Sequence, residues 1–350
     1  MGSNYLKKSI FIIVLFTLSI DSFQASESDN NSNLKVENEV YNPVPSIMHH
    51  ISDAHDWHLW GEGDESLSIP LPIILYTEGN LDIFMSSDFQ HGNSKKTVNN
   101  HTYFIDHNGR ISEESGLSFM DFSITKNVAS MLMGLIVLLL IFGISGIKAK
   151  KNKGAPSGIL SFLEPLVLFV RDDIVKPNIG KNYNKYLPYL LTLFFFILVN
   201  NLLGLLPGSA NVTGNIAVTL VLSLITLVVT NLSGNKSYWG HIFNPPGVPL
   251  ALMPIMIPIE IVGIFTKPFA LMIRLFANIS AGHIIILSLI SLIFMAQSGL
   301  GNIAAWSLSP VAVVFVLFMD LIEVLVAFLQ AYIFTLLTSL FIGLATVDHH

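Results

Sequence analysis

Residues 271–286 read LMIRLFANISAGHIII. Arg274 stands in an otherwise apolar run, with Lys267 the nearest charge before it and Asp320 the nearest after it. An arginine at the centre of a bilayer costs about 2.5–3.5 kcal/mol on insertion scales. Its pKa, above about 12, bars escape by deprotonation, so such a charge persists only where something requires it. The surrounding run is also too long. Residues 250–297 and 308–346 would extend roughly 70 and 55 Å as helices, against a hydrocarbon layer about 30 Å thick. These runs must break, with Pro254, Pro258 and Pro268 as candidate kinks, or lie steeply tilted.

The composition points the same way. Of 350 residues, 52% are hydrophobic and 12% charged, with a mean hydropathy of +0.62; soluble domains run at about 25% charged. The net charge of −6 says little about partners, because the charges are unevenly placed. Beyond residue 187 the only Asp, Glu, Lys or Arg residues are Lys236, Glu260, Lys267, Arg274, Asp320, Glu323 and Asp348. There is no cysteine, which excludes thiol nucleophiles, disulfides and Cys-ligated zinc. The lysines between 148 and 153 read as a topology signal, not as a nucleic-acid patch.

Three regions follow along the chain. Residues 1–25 carry Lys7 and Lys8, a short apolar core and then Ala25-Ser26, the pattern of a cleaved secretory signal peptide. Residues 26–117 are polar and form an exported segment with β content. Asn108-Gly109 and Glu78-Gly79-Asn80 each sit between strand-like runs, as in hairpins. Residues 118–350 are membrane-embedded. A first span at 128–147 ends in KAKKNKG, which places that end in the cytoplasm. Residues 157–176 alternate apolar turns with Glu164, Arg171, Asp172 and Asp173, as an interfacial helix does. Spans at 187–206 and 212–232 precede the two overlong runs. The expected fold is an all-α membrane protein with about five transmembrane helices, an interfacial amphipathic helix and two long tilted C-terminal helices, plus the small β-containing segment. The N-terminus lies outside and the C-terminus inside.

Polar residues in the last two runs are spaced for helix faces. Glu260, Lys267 and Arg274 recur every seven residues, Asn278 lies one turn further, and Ala270, Ala277 and Ala281 share the stripe. Small residues beside a membrane charge let another helix come close. His283 points to the opposite side. In the last run Asp320, Glu323, Ala327 and Gln330 follow three-to-four spacing. An imidazole facing a buried carboxylate makes a proton relay. Both charge signs, an imidazole and two amides on adjacent overlong helices favour an ion pathway. The plainer alternative pairs Glu323 with His283, and Arg274 with Asp320, as helix glue.

These residues resemble subunit a of the F-type ATP synthases, the stator channel beside the rotating c ring. The resemblance covers residues 124–350 and rests on LMIRLFANISAGHIII and FLQAYIFTLLTSLFIG, with VNNLLGLLPG and the run from Phe243 to Arg274. It implies that Arg274 is the stator arginine, that Asn278 and Gln330 line its surroundings, and that Glu260 lies in the cytoplasmic half-channel. Some members carry glutamate where this chain has His283 and histidine where it has Glu323; the exchange keeps one acid and one imidazole in contact. The resemblance further implies a bacterial inner-membrane location, protons as cargo, and c-ring and peripheral-stalk b subunits as partners. ATP chemistry then belongs to other subunits, and no cofactor is implied.

The longer N-terminal segment departs from the family pattern. Its His49, His50, His55 and His58, with Asp53 and Asp56, could ligate a metal, but a solvated or interfacial helix start is the preferred reading. A secondary transporter suits broken helices and midplane charges, but no repeated halves are visible. GISG at 143–146 matches a short intramembrane-protease motif around Ser145.

Overall fold

The architecture changes at about residue 121, from short strands to long apolar helices. The computed structural model describes residues 41–60, 67–92, 94–106, 109–151, 158–206, 208–244, 249 and 252–346. The signal-peptide reading, Asn108 and Lys153 lie outside them.

A short helix, α1 (Val44–Ile51), leads into the β region. Strand β1 (Asp56–Trp60) pairs with β2 (Leu67–Pro70). Strands β3 (Pro72–Thr77) and β4 (Asn80–Met85) form the hairpin expected around Glu78-Gly79, with Thr77 opposite Asn80. Both turn residues have positive φ, 47° and 90°, the two-residue turn whose twist matches the flanking strands. Strands β5 (Lys96–Val98), β6 (His101–Ile105) and β7 (Ile111–Glu113) make a separate three-stranded antiparallel sheet.

Strand β8 (Phe119–Asp121) pairs with β3. The ladder continues as Phe122 N donates to Ile74 O and Ile124 N to Pro72 O. A division after Leu117 therefore falls too early, because these backbone groups complete the sheet. Ile73, Leu75, Phe84, Phe89 and Tyr103 form the small core. Asp82 is fully buried within it and accepts hydrogen bonds from the Tyr103 hydroxyl and Asn99 Nδ2, each at 2.6 Å. Burial and this carboxylate push the Tyr103 hydroxyl up to about 12.

The remainder is helical. Helix α2 (Lys126–Lys151) is followed by α3 (Ile159–Phe169), which passes through a π turn at Val170–Val175 into α4 (Lys176–Ile179). Gly180, at φ 70°, interrupts the helical path before α5 (Tyr183–Gly204). The amphipathic segment packs its inner face, Val170, Ile174, Val175 and Ile179, into the core. Helices α6 (Ile216–Leu232) and α7 (Lys236–Phe243) meet at 102°. The last two, α8 (Met253–Leu300) and α9 (Asn302–Thr346), form a hairpin about the single residue Gly301, at φ 86°. Among the described residues four helical stretches are long and apolar enough to cross a membrane, or five if the bent pair is one span.

Helix α8 runs unbroken through Pro258 and Pro268 for 48 residues. A single helix of that length fits a thin layer only when inclined or curved. Leu190, Phe194 and Ile197 of α5, Leu271 and Leu275 of α8, and Phe334 and Ile342 of α9 form the core. Helix α6 is turned inside out relative to a soluble helix. Thr219, Ser223, Thr226 and Thr230 are buried, while Val221, Leu224 and Val228 are exposed, as lipid on the outside and polar helix contacts on the inside require.

Candidate functional site: the polar faces of the C-terminal hairpin

Helix α8 has two faces. Leu271, Leu275 and Ile279 are buried against the bundle. Lys267, Ala270, Arg274, Ala277, Asn278 and Ala281 are exposed. Among the described residues Arg274 has no hydrogen bond or ion pair. The pairing of Arg274 with Asp320 weighed from sequence therefore does not form. Arg274 projects from a surface whose small side chains leave room for another helix.

His283, nine residues on, faces inward. Its Nδ1 lies 3.5 Å from Glu323 Oε1 on α9, with the two side chains 17% and 9% exposed. The fit is close because the facing residue is Gly282. A Cβ there would run into the Glu323 carboxylate. Asp320, one turn before Glu323, is partly buried.

A second contact fixes the register of the hairpin: Lys267 Nζ lies 5.7 Å from the Phe341 ring centroid. The helices run antiparallel between these two contacts. Gln330, seven residues after Glu323, is thus level with residues 276–277 of α8, within a turn of both Arg274 and Asn278. It is 3% exposed. Glu260 is partly buried, one helical turn before Ile264. Ile264 and Lys267 border a recess lined also by Thr226, Thr230, Asn231 and Tyr238. Along α8, Arg274 stands about 13 Å from His283 and about 21 Å from Glu260 at 1.5 Å per residue.

Asn201 and Thr213 are buried and tied to α9 near Glu323, and Asn200 is buried against Gly134 of α2; none was singled out by sequence. Thr213 Oγ1 donates to Asn201 Oδ1 at 2.5 Å, and Asn201 Nδ2 donates to Ala327 O at 3.3 Å. Their signal was weak, since isolated amides and hydroxyls have no period of their own. The α6 stripe did have one, at three-to-four spacing.

Near the N-terminus, His55 Nε2 lies 3.3 Å from Asp121 Oδ2. Among the described residues no three metal-ligating side chains converge, and the side chains of His49 and His58 lie outside that description. Among the described residues the buried Ser145 hydroxyl has no hydrogen-bond partner, and so no neighbouring base of the kind that activates a serine nucleophile.

Together these features define a multi-pass helical membrane protein that carries, on one hairpin, a cation unpaired among the described residues and an acid–imidazole pair. The chain belongs to the ATP synthase A chain family, which it matches over residues 128–343. Residues 46–128 match a domain family of unknown function. The chain is 51% identical over 239 residues to ATP synthase subunit a 2 of Chlorobaculum tepidum, covering 66% of each chain. It is 51% identical over 233 residues to ATP synthase subunit a of Chlorobium phaeobacteroides strain BS1, over 65% of this chain and 67% of that one. To ATP synthase subunit a of Myxococcus xanthus it is 44% identical over 239 residues, 66% of this chain and 76% of the relative.

Proposed function

We propose that this chain is the stator channel of a bacterial rotary ATP synthase, offering two half-channels to carboxylates on a rotating c ring, with Arg274 between them. The supporting observation is the setting of Arg274. It is exposed and unpaired among the described residues, on a face of small side chains, between Glu260 on one side and the His283–Glu323 pair on the other.

In this reading protons enter from the exported side through the half-channel that holds His283, Glu323 and Asp320. They pass to a rotor carboxylate, which becomes neutral and can face lipid. After nearly a full turn the carboxylate meets the second half-channel, near Glu260, and releases its proton to the cytoplasm. The fixed charge of Arg274 favours the ionised form of the approaching carboxylate, so each site arrives empty. It also repels protons that would leak between the half-channels. Asn278 and Gln330, at the same level, supply amide partners to the guanidinium or to the carboxylate. Each proton crossing 100 mV delivers about 2.3 kcal/mol, so several are needed for each ATP.

The partners in this proposal are the c ring, peripheral-stalk b subunits and the lipid bilayer. The chain sits in the inner membrane with residues 1–25 removed, its N-terminal region exported and its C-terminus cytoplasmic. The test is ATP-driven acidification of inverted vesicles carrying Arg274→Ala, with assembly checked alongside. An assembled complex that does not pump is expected; undiminished pumping would make Arg274 a structural charge.

A further inference from the structure

The β region touches the helices at a few specific places, and two of these lie on a loop whose own hydrogen bonds end within one turn of His283 and Glu323. The connecting element is the loop between α5 and α6. On its outer side Trp57 Nε1 donates to Gly208 O at 2.7 Å, and Asn215 Nδ2 donates to Asp53 Oδ2 at 3.4 Å. The β region therefore grips both ends of the loop. The other oxygen of Asp53 accepts from the Asn127 amide at 3.2 Å, which ties the same carboxylate to the first turn of α2. Gly208 has φ 74°, a conformation that suits glycine and sets its carbonyl orientation.

On its inner side the loop holds the helices that carry the pair. Val212 and Thr213 are fully buried. Thr213 reaches α9 through Asn201, whose amide donates to Ala327 O, one turn beyond Glu323. Gly214 O accepts from Ser280 Oγ of α8 at 3.3 Å, one turn before His283. Each member of the pair is thus within one turn of a residue tied to this loop.

We propose that the N-terminal β region, together with this loop, forms a clamp that fixes the spacing of His283 and Glu323, with Trp57 and Asp53 as its positioning residues. The inference rests on the inlet role proposed for that pair. Spacing matters because Nδ1 and Oε1 are 3.5 Å apart, at the outer edge of hydrogen bonding, where about 2.7–3.2 Å is usual. A small slide of α8 against α9 breaks the contact, and a 1 Å misplacement can cost about a hundredfold in rate. The ionisable groups at the pair are His283, Glu323 and Asp320; α5 and the loop bring Asn201 and Thr213, neither of which titrates.

The experiment uses membrane vesicles containing the whole complex, stripped of the catalytic sector just before measurement. Proton flux is driven by a potassium diffusion potential while the pH on the exported face is varied. Trp57→Phe keeps the ring and loses the donor; Asp53→Ala acts at an exposed carboxylate and carries the test if Trp57→Phe does not assemble. Either variant is expected to slow flux per assembled complex several-fold and to shift its pH midpoint. Trp57→Phe added to Glu323→Gln should slow flux no further than Glu323→Gln alone. A fall in assembly with an unchanged pH profile would reduce the contacts to structural support and overturn the clamp. If both variants match the wild type while Glu323→Gln is slow, the clamp fails and the inlet stands. If Glu323→Gln itself conducts at the wild-type rate, the inlet reading falls and the clamp with it.

Discussion

Arg274 and His283 stand nine residues apart on one helix in opposite circumstances. His283 is turned inward, with a carboxylate 3.5 Å away on the neighbouring helix. Arg274 is turned outward, unpaired among the described residues. A membrane charge whose partner lies in the same chain can be structural glue. One without such a partner points to a partner outside the chain, because an isolated guanidinium facing hydrocarbon is too costly to keep.

Beyond the loss of pumping expected of Arg274→Ala, the largest effect tests the inward half of that comparison. Glu323→Gln should slow proton conduction by about a hundredfold, the scale of a lost proton-transfer group. The exchange His283→Glu with Glu323→His should conduct better than either single substitution, since it restores one acid and one imidazole. Single variants no worse than the double would show that the two residues do not act as a unit.

Two glycines sharpen the distinction between function and packing. At Gly282 an added Cβ meets the mobile end of Glu323, whereas at Gly343 it meets the backbone carbonyl of Asn178. Gly282→Ala should lower conduction about tenfold by displacing the carboxylate, with little loss of stability. Gly343→Ala should instead cost about 1–3 kcal/mol in stability, because backbone cannot step aside. Thermal denaturation beside flux measurements separates the two, and a reversed pattern would place the proton path elsewhere.

The smallest effect lies in the β region. Burial tends to raise the Asp121 carboxyl, but hydrogen bonds from His55 and from the Ser123 hydroxyl and amide outweigh it and hold the group at about 2. The unfolded value is about 3.9. The resulting stability is therefore present above about pH 4 and is lost as pH falls towards 2. The side chain is 39% exposed, so screening leaves about 1 kcal/mol. Asp121→Asn should lower the melting temperature of the solubilised complex near pH 6 and leave it unchanged near pH 2.

Features that sequence made legible are those written in a period. The seven-residue spacing of Lys267 and Arg274 put both on one exposed face, and His283 fell on the other face as its position required. Gly79 announced its hairpin because glycine takes positive φ without strain. Two long C-terminal helices were legible from the length of the apolar runs; whether α8 would continue as helix through Pro258 and Pro268 was left open, since proline removes one hydrogen bond locally while packing on both sides decides whether the helix goes on. The bonds from Trp57 to Gly208 and from Thr213 to Asn201 were not legible either. They join residues brought together only by the fold, and a carbonyl acceptor such as Gly208 O leaves no mark on residue type. The boundary of the β region was missed because β8 is three residues long and pairs with a strand more than forty residues away.

The most direct test of the proposal is where the Arg274 face docks. The chain has no cysteine, so single substitutions give a clean readout. Ala277→Cys, beside Arg274, and Leu139→Cys, on the exposed side of α2, would each be paired with cysteines along the rotor helix and oxidised in native membranes. A disulfide from Ala277→Cys that halts ATP-driven pumping, with none from Leu139→Cys, is the expected result. Cross-linking from Leu139→Cys and not from Ala277→Cys would contradict it, because the rotor would then pass a face that carries no arginine.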